Sequence, residues 1–199
     1  MKIAVITSVR SFDGEAKLIN QLFESGMEVL HLRKPGMEKE NYLALLNQIE
    51  AVYHDRVALH SHHELAAEFG IKRLHYPAIL RKNQALGVLR CEHPDKVLST
   101  SIHHLEEIDF VREFDYTFLG PIFNSYSKPG YLGMGTANLQ LPQKTGLQLF
   151  ALGGVTVHNI ASLKLLGFDG AGLLGWLWND PTKVITNFNQ IKCLIKENM

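Results

Sequence analysis

The stretch LQLFALGGVTVHNIASLKLLGFDGAGLLGWLW, residues 147–178, holds one full repeat of the chain's organisation. The apolar run LQLFALGGV (147–155) reads as a buried strand closing on two glycines. Thr156-Val157-His158-Asn159 then opens a segment of helical spacing, with Ile160, Leu163 and Leu166 on one face and Gly167 placed to stop it. A second apolar run, GAGLLGWLW (170–178), reads as the next strand. Strand, helix, strand with short returns is the unit that builds a parallel sheet, because parallel neighbours need a crossover.

The same alternation extends back to the first residues. Further strand-like runs are KIAVITS (2–8), EVLHLRK (28–34), RVALHS (56–61), RLHYP (73–77), KVLSTSIH (96–103) and YTFLGPIF (116–123). Helical segments lie between them. In NYLALLNQIEAVY, Leu43, Leu46 and Ile49 with Ala44, Ala51 and Val52 form one broad face; ELAAEFG ends on a glycine suited to a helix terminus; PTKVITNFNQIKCLIKEN begins with a proline that fits a first helical turn. Eight strand–helix repeats predict an α/β fold, a compact (β/α)8 TIM barrel with a parallel sheet. An open doubly wound sheet is the rival arrangement. At 199 residues the chain sits at the lower end of barrel sizes, about 200 residues, so a single domain over 1–199 is expected.

Composition narrows the partners. Twenty basic and twenty acidic residues give zero formal net charge, which predicts no wholesale binding to nucleic acid or to an anionic membrane. No apolar run approaches the roughly 20 residues of a membrane span, and the opening run is too short for a secretory signal. Cys91 and Cys193 are far apart and form no CxxC pair, so they read as reduced structural thiols of a cytoplasmic protein. Ten histidines are many for this length. The run His60-Ser61-His62-His63 reads as a polar loop with solvated rings, since adjacent histidines on a short loop point apart and neither cysteine nor a carboxylate cluster joins them.

In a barrel the ligand sits at the C-terminal ends of the strands. Those ends carry Ser8, Arg33-Lys34, His60-Ser61, Tyr76-Pro77, Ser101 with His103, the Ser125–Lys128 loop, Gly153-Gly154 and Leu174-Gly175. Cationic and hydroxyl side chains dominate and no acid is among them, so the rim suits an anion. Adjacent glycines at 153 and 154 let backbone N–H groups approach a phosphate, and loops seven and eight form the usual phosphate site of such barrels. The glycine pair alone also reads as a tight turn.

With these residues placed, the chain resembles the thiamine phosphate synthase / TenI family of compact barrels. The resemblance spans nearly the whole length. It is carried by HLRK at the second strand, STSIHHLEE at the fifth, DYTFLGPIFNSYSK at the sixth, FALGGVTVHNI at the seventh and GFDGAGLLGWLW at the eighth. The sixth is the most specific: where the family has Gly-Pro-Ile-Phe/Tyr followed by Thr-x-Thr-Lys, this chain has Ser125-Tyr126-Ser127-Lys128, which keeps the hydroxyls.

The resemblance implies a part in thiamine biosynthesis and one of two chemistries. The synthase joins hydroxymethylpyrimidine diphosphate to thiazole phosphate with Mg²⁺ and releases diphosphate; the TenI branch includes a tautomerase that moves a proton on the carboxylated thiazole phosphate. By resemblance, Gly153, Gly154, Leu174 and Gly175 hold the thiazole phosphate, with Ser101, Ser125 and Ser127 as further binding residues. Arg33, Lys34 and Lys128 meet the carboxylate or a second phosphate, and His103, with Lys128, is the catalytic candidate. An ordinary histidine orienting its loop is the alternative at 103, and synthases often keep that residue too.

The departures concern metal. The family places Asn-Asp after the third strand and Asp after the fourth; here stand His60-Ser61 and Tyr76-Pro77-Ala78. No acid occurs between Glu68 and Glu92, and Lys34 comes one place earlier than the family's lysine. Mg²⁺ prefers oxygen ligands. The expectation is therefore a TenI-like enzyme with no metal and no cofactor, Mg²⁺ applying if the chain is instead a synthase. A non-catalytic sensor of thiazole or thiamine phosphate is the rival from another class. The expected partner is a small phosphorylated thiazole or pyrimidine ligand, with a homo-oligomer left open. Trp176 and Trp178 are expected to pack, and His104 to face solvent.

Overall fold

The computed structural model describes residues 1–82, 87–125, 130, 132–137, 139–142 and 146–197. Its chain order is β1 (Lys2–Ile6), α1 (Glu15–Glu24), β2 (Val29–Leu32), α2 (Lys39–Gln48), β3 (Val57–Leu59), α3 (Leu65–Glu68), β4 (Arg73–Tyr76), α4 (Ala78–Arg81), α5 (Val88–Glu92), β5 (Val97–Ile102), β6 (Tyr116–Leu119), β7 (Gln148–Ala151), α6 (Ile160–Leu165), β8 (Gly170–Leu173), α7 (Gly175–Trp178) and α8 (Val184–Glu197). The eight strands pair in order and close, β8 on β1 through Lys2↔Gly170 to Val5↔Leu173, every pair parallel. The closed barrel is the predicted one, and the open sheet is excluded.

Two apolar layers hold it. Outside the strands, side chains such as Ile19, Leu22, Leu30, Leu46, Leu59, Ile160 and Phe188 pack helices onto the sheet. Inside, Ala4, Ile6, Tyr116, Phe118 and Phe150 pack together with half-buried Val29, Val97, Leu152 and Leu174. Strand alternation divides the two sets: in β2, Leu30 and Leu32 join the outer core, and His31 between them points inward to touch Phe118.

Several expectations are corrected. Each strand is shorter than its apolar run, because the residues beyond it fold into loops, several of them buried, such as Thr7, Lys34, Ile122 and Val155. GWLW is a short helix, not strand: Trp178 is buried and its indole donates to Ile6 O at 2.7 Å. In α2 the buried face is Tyr42, Leu45 and Leu46, followed by Ile49, while Ala44, Ala51 and Val52 are exposed; the helix ends before Ala51, so the longer periodicity never forms. The β5–β6 link is a 3-10 turn (Leu105–Val111), and among the described residues no helix lies between β6 and β7. Cys91 and Cys193 are free and exposed, so neither belongs to the core. Among the described residues no helix is long and apolar enough to cross a membrane.

Candidate functional site

The end of β2 is fixed from two sides. Thr7, fully buried, donates to Arg33 O at 3.0 Å and accepts from Arg33 N–H at 2.9 Å, and Tyr42 OH donates to Leu32 O at 2.7 Å. This seat holds Arg33 half-buried. Burial lowers the pKa of its guanidinium, and among the described residues no carboxylate pairs with it. A partly desolvated cation without an acid has hydrogen-bond donors that an anion can satisfy.

Lys34 is placed otherwise. Its ammonium is buried, 2.6 Å from Glu15 and 2.8 Å from Ser8 O. Burial raises the pKa of Glu15 against the pull of Lys34. The pair clamps α1 to the loop after β2, and its geometry uses Lys34 as a structural cation, in place of the ligand contact expected of it.

His103 stands at the end of β5 and reaches the end of β6. Its Nδ1 lies 2.7 Å from Gly120 O. A carbonyl can only accept, so Nδ1 carries a proton, and in the neutral ring Nε2 offers the lone pair. The ring borders a cavity of about 660 Å³ that Pro121, Leu132, Met134 and Leu139 also line. The Glu107 carboxylate accepts from the N–H groups of His103 at 2.9 Å and His104 at 3.2 Å, which fixes the turn; His104 is exposed, as expected.

Beyond the cis Gly120-Pro121 bond, the loop after β6 lies along the end of β7: Ile122 N–H donates to Leu152 O at 2.8 Å, Phe123 N–H to Gly153 O at 3.1 Å. Gly153 and Gly154 adopt positive φ, 94° and 63°, and a Cβ on them would come within 2.7 Å of Pro121 and 2.3 Å of Asn124 O. Close packing of the β6 loop thus accounts for both glycines. Their N–H groups take no part in the backbone hydrogen bonds among the described residues. Ser125 is half-buried on this loop, Leu174 and Gly175 are half-buried after β8, and Ser127 and Lys128 lie outside the described residues.

The largest departure from expectation is in the histidines. His60 is not a solvated loop ring: it is 9% exposed, faces the barrel interior and lies against His31 and His75. His31 Nδ1 is 2.9 Å from His60 Nε2, Tyr116 OH is 2.8 Å from His31 Nε2, and His75 lies 3.0 Å from Ser99 Oγ and 3.3 Å from Ser101 Oγ. Burial, with Arg73 nearby, lowers the pKa of His31 to about 3, and burial with neighbouring rings and Arg33 lowers those of His60 and His75. All three are neutral near pH 7. His62 and His63 bond Met37 O and Leu59 O. The sequence signal for this cluster was alternation: His31 and Arg33, Arg73 and His75, and Ser99 and Ser101 each lie two apart on one strand face.

The donor set bears on metal. Mg²⁺ is held by carboxylate oxygens, but the ends of β3 and β4 present His60, Ser61 and Tyr76 and no carboxylate. Among the described histidine, cysteine and acidic side chains, the only group of three or more close enough to share an ion is His31, His60 and His75, all nitrogen. The described residues do not fit Mg²⁺.

A sequence model described as thiamine monophosphate synthase matches residues 3–175. The chain belongs to the thiamine monophosphate synthase family. The thiamine-phosphate synthase of Bacillus mycoides (strain KBAB4) is 24% identical over 169 residues, 79% of this chain and 76% of that relative. The crystal structure of thiamine phosphate pyrophosphorylase from Bacteroides thetaiotaomicron superposes with a TM-score of 0.75 at 28% identity, covering 98% of each chain. The thiamine phosphate pyrophosphorylase of Pyrococcus furiosus, at 15% identity and a TM-score of 0.77 over 100% of this chain and 96% of that one, shares the fold.

Proposed function

We propose that this family member binds a carboxylated thiazole phosphate and moves a proton on it, in the manner of the TenI branch. The observation that carries the reading is His103: its Nδ1–H is engaged by Gly120 O, so Nε2 is a base beside an open cavity on the catalytic rim. Phosphate is assigned to the N–H groups of Gly153, Gly154 and Gly175 with Leu174, and to Ser125, Ser127 and Lys128; the carboxylate is assigned to Arg33. His103 Nε2 takes a proton from one ring position and returns it to another, which needs neither metal nor redox partner. Such acid–base help is worth roughly 10²–10⁴-fold. The expected partner is thus a small anionic ligand and no cofactor.

One observation favours a second reading. The relatives are named thiamine-phosphate synthase and thiamine phosphate pyrophosphorylase, which supports the transferase reaction on hydroxymethylpyrimidine diphosphate and thiazole phosphate. The missing carboxylates at the ends of β3 and β4 weigh against it. Both are tested together. The tautomerisation rate is measured for wild type and His103→Ala, and thiamine phosphate is sought with both synthase substrates and Mg²⁺. The expected result is tautomerisation that falls at least about 100-fold in the variant, with no Mg²⁺-dependent product. Undiminished activity in His103→Ala sinks the catalytic assignment; robust Mg²⁺-dependent synthesis establishes the second reading. Ligand binding without either turnover points to a sensor.

A further inference from the structure

Barrels of this kind fill their interior with bulky branched aliphatic side chains. Here β2, β4 and the residue that follows β3 instead send three imidazoles into it. One ligand-capable nitrogen from each of His31, His60 and His75 lies within 4.8 Å of the other two. The outward nitrogens are held by hydroxyls: His31 Nε2 by Tyr116 at 2.8 Å, His75 Nδ1 by Ser99 at 3.0 Å. When those nitrogens carry the protons, His31 Nδ1 and His75 Nε2 present lone pairs inward, and His60 Nε2, 2.9 Å from His31 Nδ1, donates to it; ligation by His60 then moves that proton to its Nδ1, leaving the ring neutral. A ring oriented by a hydrogen bond from its far nitrogen is the usual support of a metal-bound histidine.

We propose that His31, His60 and His75 form a three-histidine site for a zinc-class divalent ion, open on its fourth side toward Ser101 at the rim. Zinc–nitrogen bonds of about 2.0–2.1 Å place tetrahedral ligands roughly 3.4 Å apart, so ring shifts of about an ångström close the set. The pairs of His31 with His60 and His75, at centroid separations of 5.1 and 5.4 Å, already have the spread such a site needs; the stacked pair His60–His75, at 3.9 Å, has to open. Arg33 beside His60 and His75, and Arg73 beside His31, repel any cation. Nitrogen donors in that field select late first-row ions over Mg²⁺ or Ca²⁺. Ser101 Oγ is 3.3 Å from His75 Nε2 and is half-buried, whereas Ser99 on the far side is buried, so the open position faces the rim.

The test uses the full chain stripped of metal with a chelator. Zn²⁺ is titrated calorimetrically, and Co²⁺ is followed by visible absorption. The expected result is one ion per chain, the intense d–d bands of four-coordinate Co²⁺, and affinity lowered at least tenfold in His60→Asn and in His75→Gln with far-UV circular dichroism unchanged. No binding by wild type, or binding equally tight in both variants, overturns the proposal and assigns the ion to surface histidines. Should the variants fail to fold, the wild-type Co²⁺ spectrum decides: weak six-coordinate bands, or none, refute the site. Turnover is not a readout, so this proposal and the His103 assignment fail separately.

Discussion

Glu107 shows how a single side chain sets the geometry of the rim. Its Oε1 accepts from His103 and His104 N–H, and Oε2 from Arg81, a guanidinium 7% exposed, at 3.3 Å. Burial alone would raise its pKa; the two N–H bonds and Arg81 outweigh that and hold it below the ordinary 4.5. A folded pKa below the unfolded one means the carboxylate stabilises the fold above about pH 4.5, and that contribution disappears as pH falls through the folded value. The amide resonances of His103 and His104 are therefore expected to titrate together with an inflection below pH 4.5. In Glu107→Gln that inflection should vanish and His103→Gly120 contact should loosen. An inflection that persists in the variant would show that another acid governs the turn.

At the scale of elements, the eight strands were legible because β-branched and apolar runs recur with helical spacing between them. Their ends were not, since GPIF and GWLW are apolar for a different reason: they line buried loops and a four-residue helix, too short to display a period. The histidine trio comes from residues 29 and 15 positions apart, a spacing without local pattern, and the adjacency of His60 to His62 and His63 is itself the mark of a polar loop. The glycine pair after β7 was legible as special, but its cause is the neighbouring loop. Gly154→Ala puts a Cβ 2.3 Å from Asn124 O at φ 63°, whereas Gly167→Ala, at φ 92°, meets nothing within 4 Å. The second change carries only the left-handed backbone cost, about 1–2 kcal/mol. The first adds the clash, so its unfolding free energy from urea denaturation should fall further, by at least about another 1 kcal/mol. Equal losses would mean that the β6 loop does not press on Gly154.

At the scale of the molecule, the strand that closes the barrel touches the histidine layer through one aromatic cluster. Gly170 starts β8 opposite Lys2, and a Cβ there would lie 2.5 Å from the Phe150 ring. That ring cannot simply swing away. Tyr116 lies 5.0 Å from it at 34°, Phe118 5.8 Å from it edge-on, and Tyr116 in turn bonds His31. Overpacking a filled interior costs about 1–3 kcal/mol, so Gly170→Ala is expected to destabilise by that amount although alanine suits a strand better than glycine does. Phe150→Leu removes the ring atoms that clash and leaves a smaller void of its own. If the stack transmits the strain, the two changes are not additive: the double variant should be more stable than the sum of the single losses by at least about 0.5 kcal/mol. The Tyr116 ring resonances should move in Gly170→Ala and return toward wild type in the double variant. Additive losses with unmoved Tyr116 signals would show that β8 closes the barrel without touching the layer that carries the histidines.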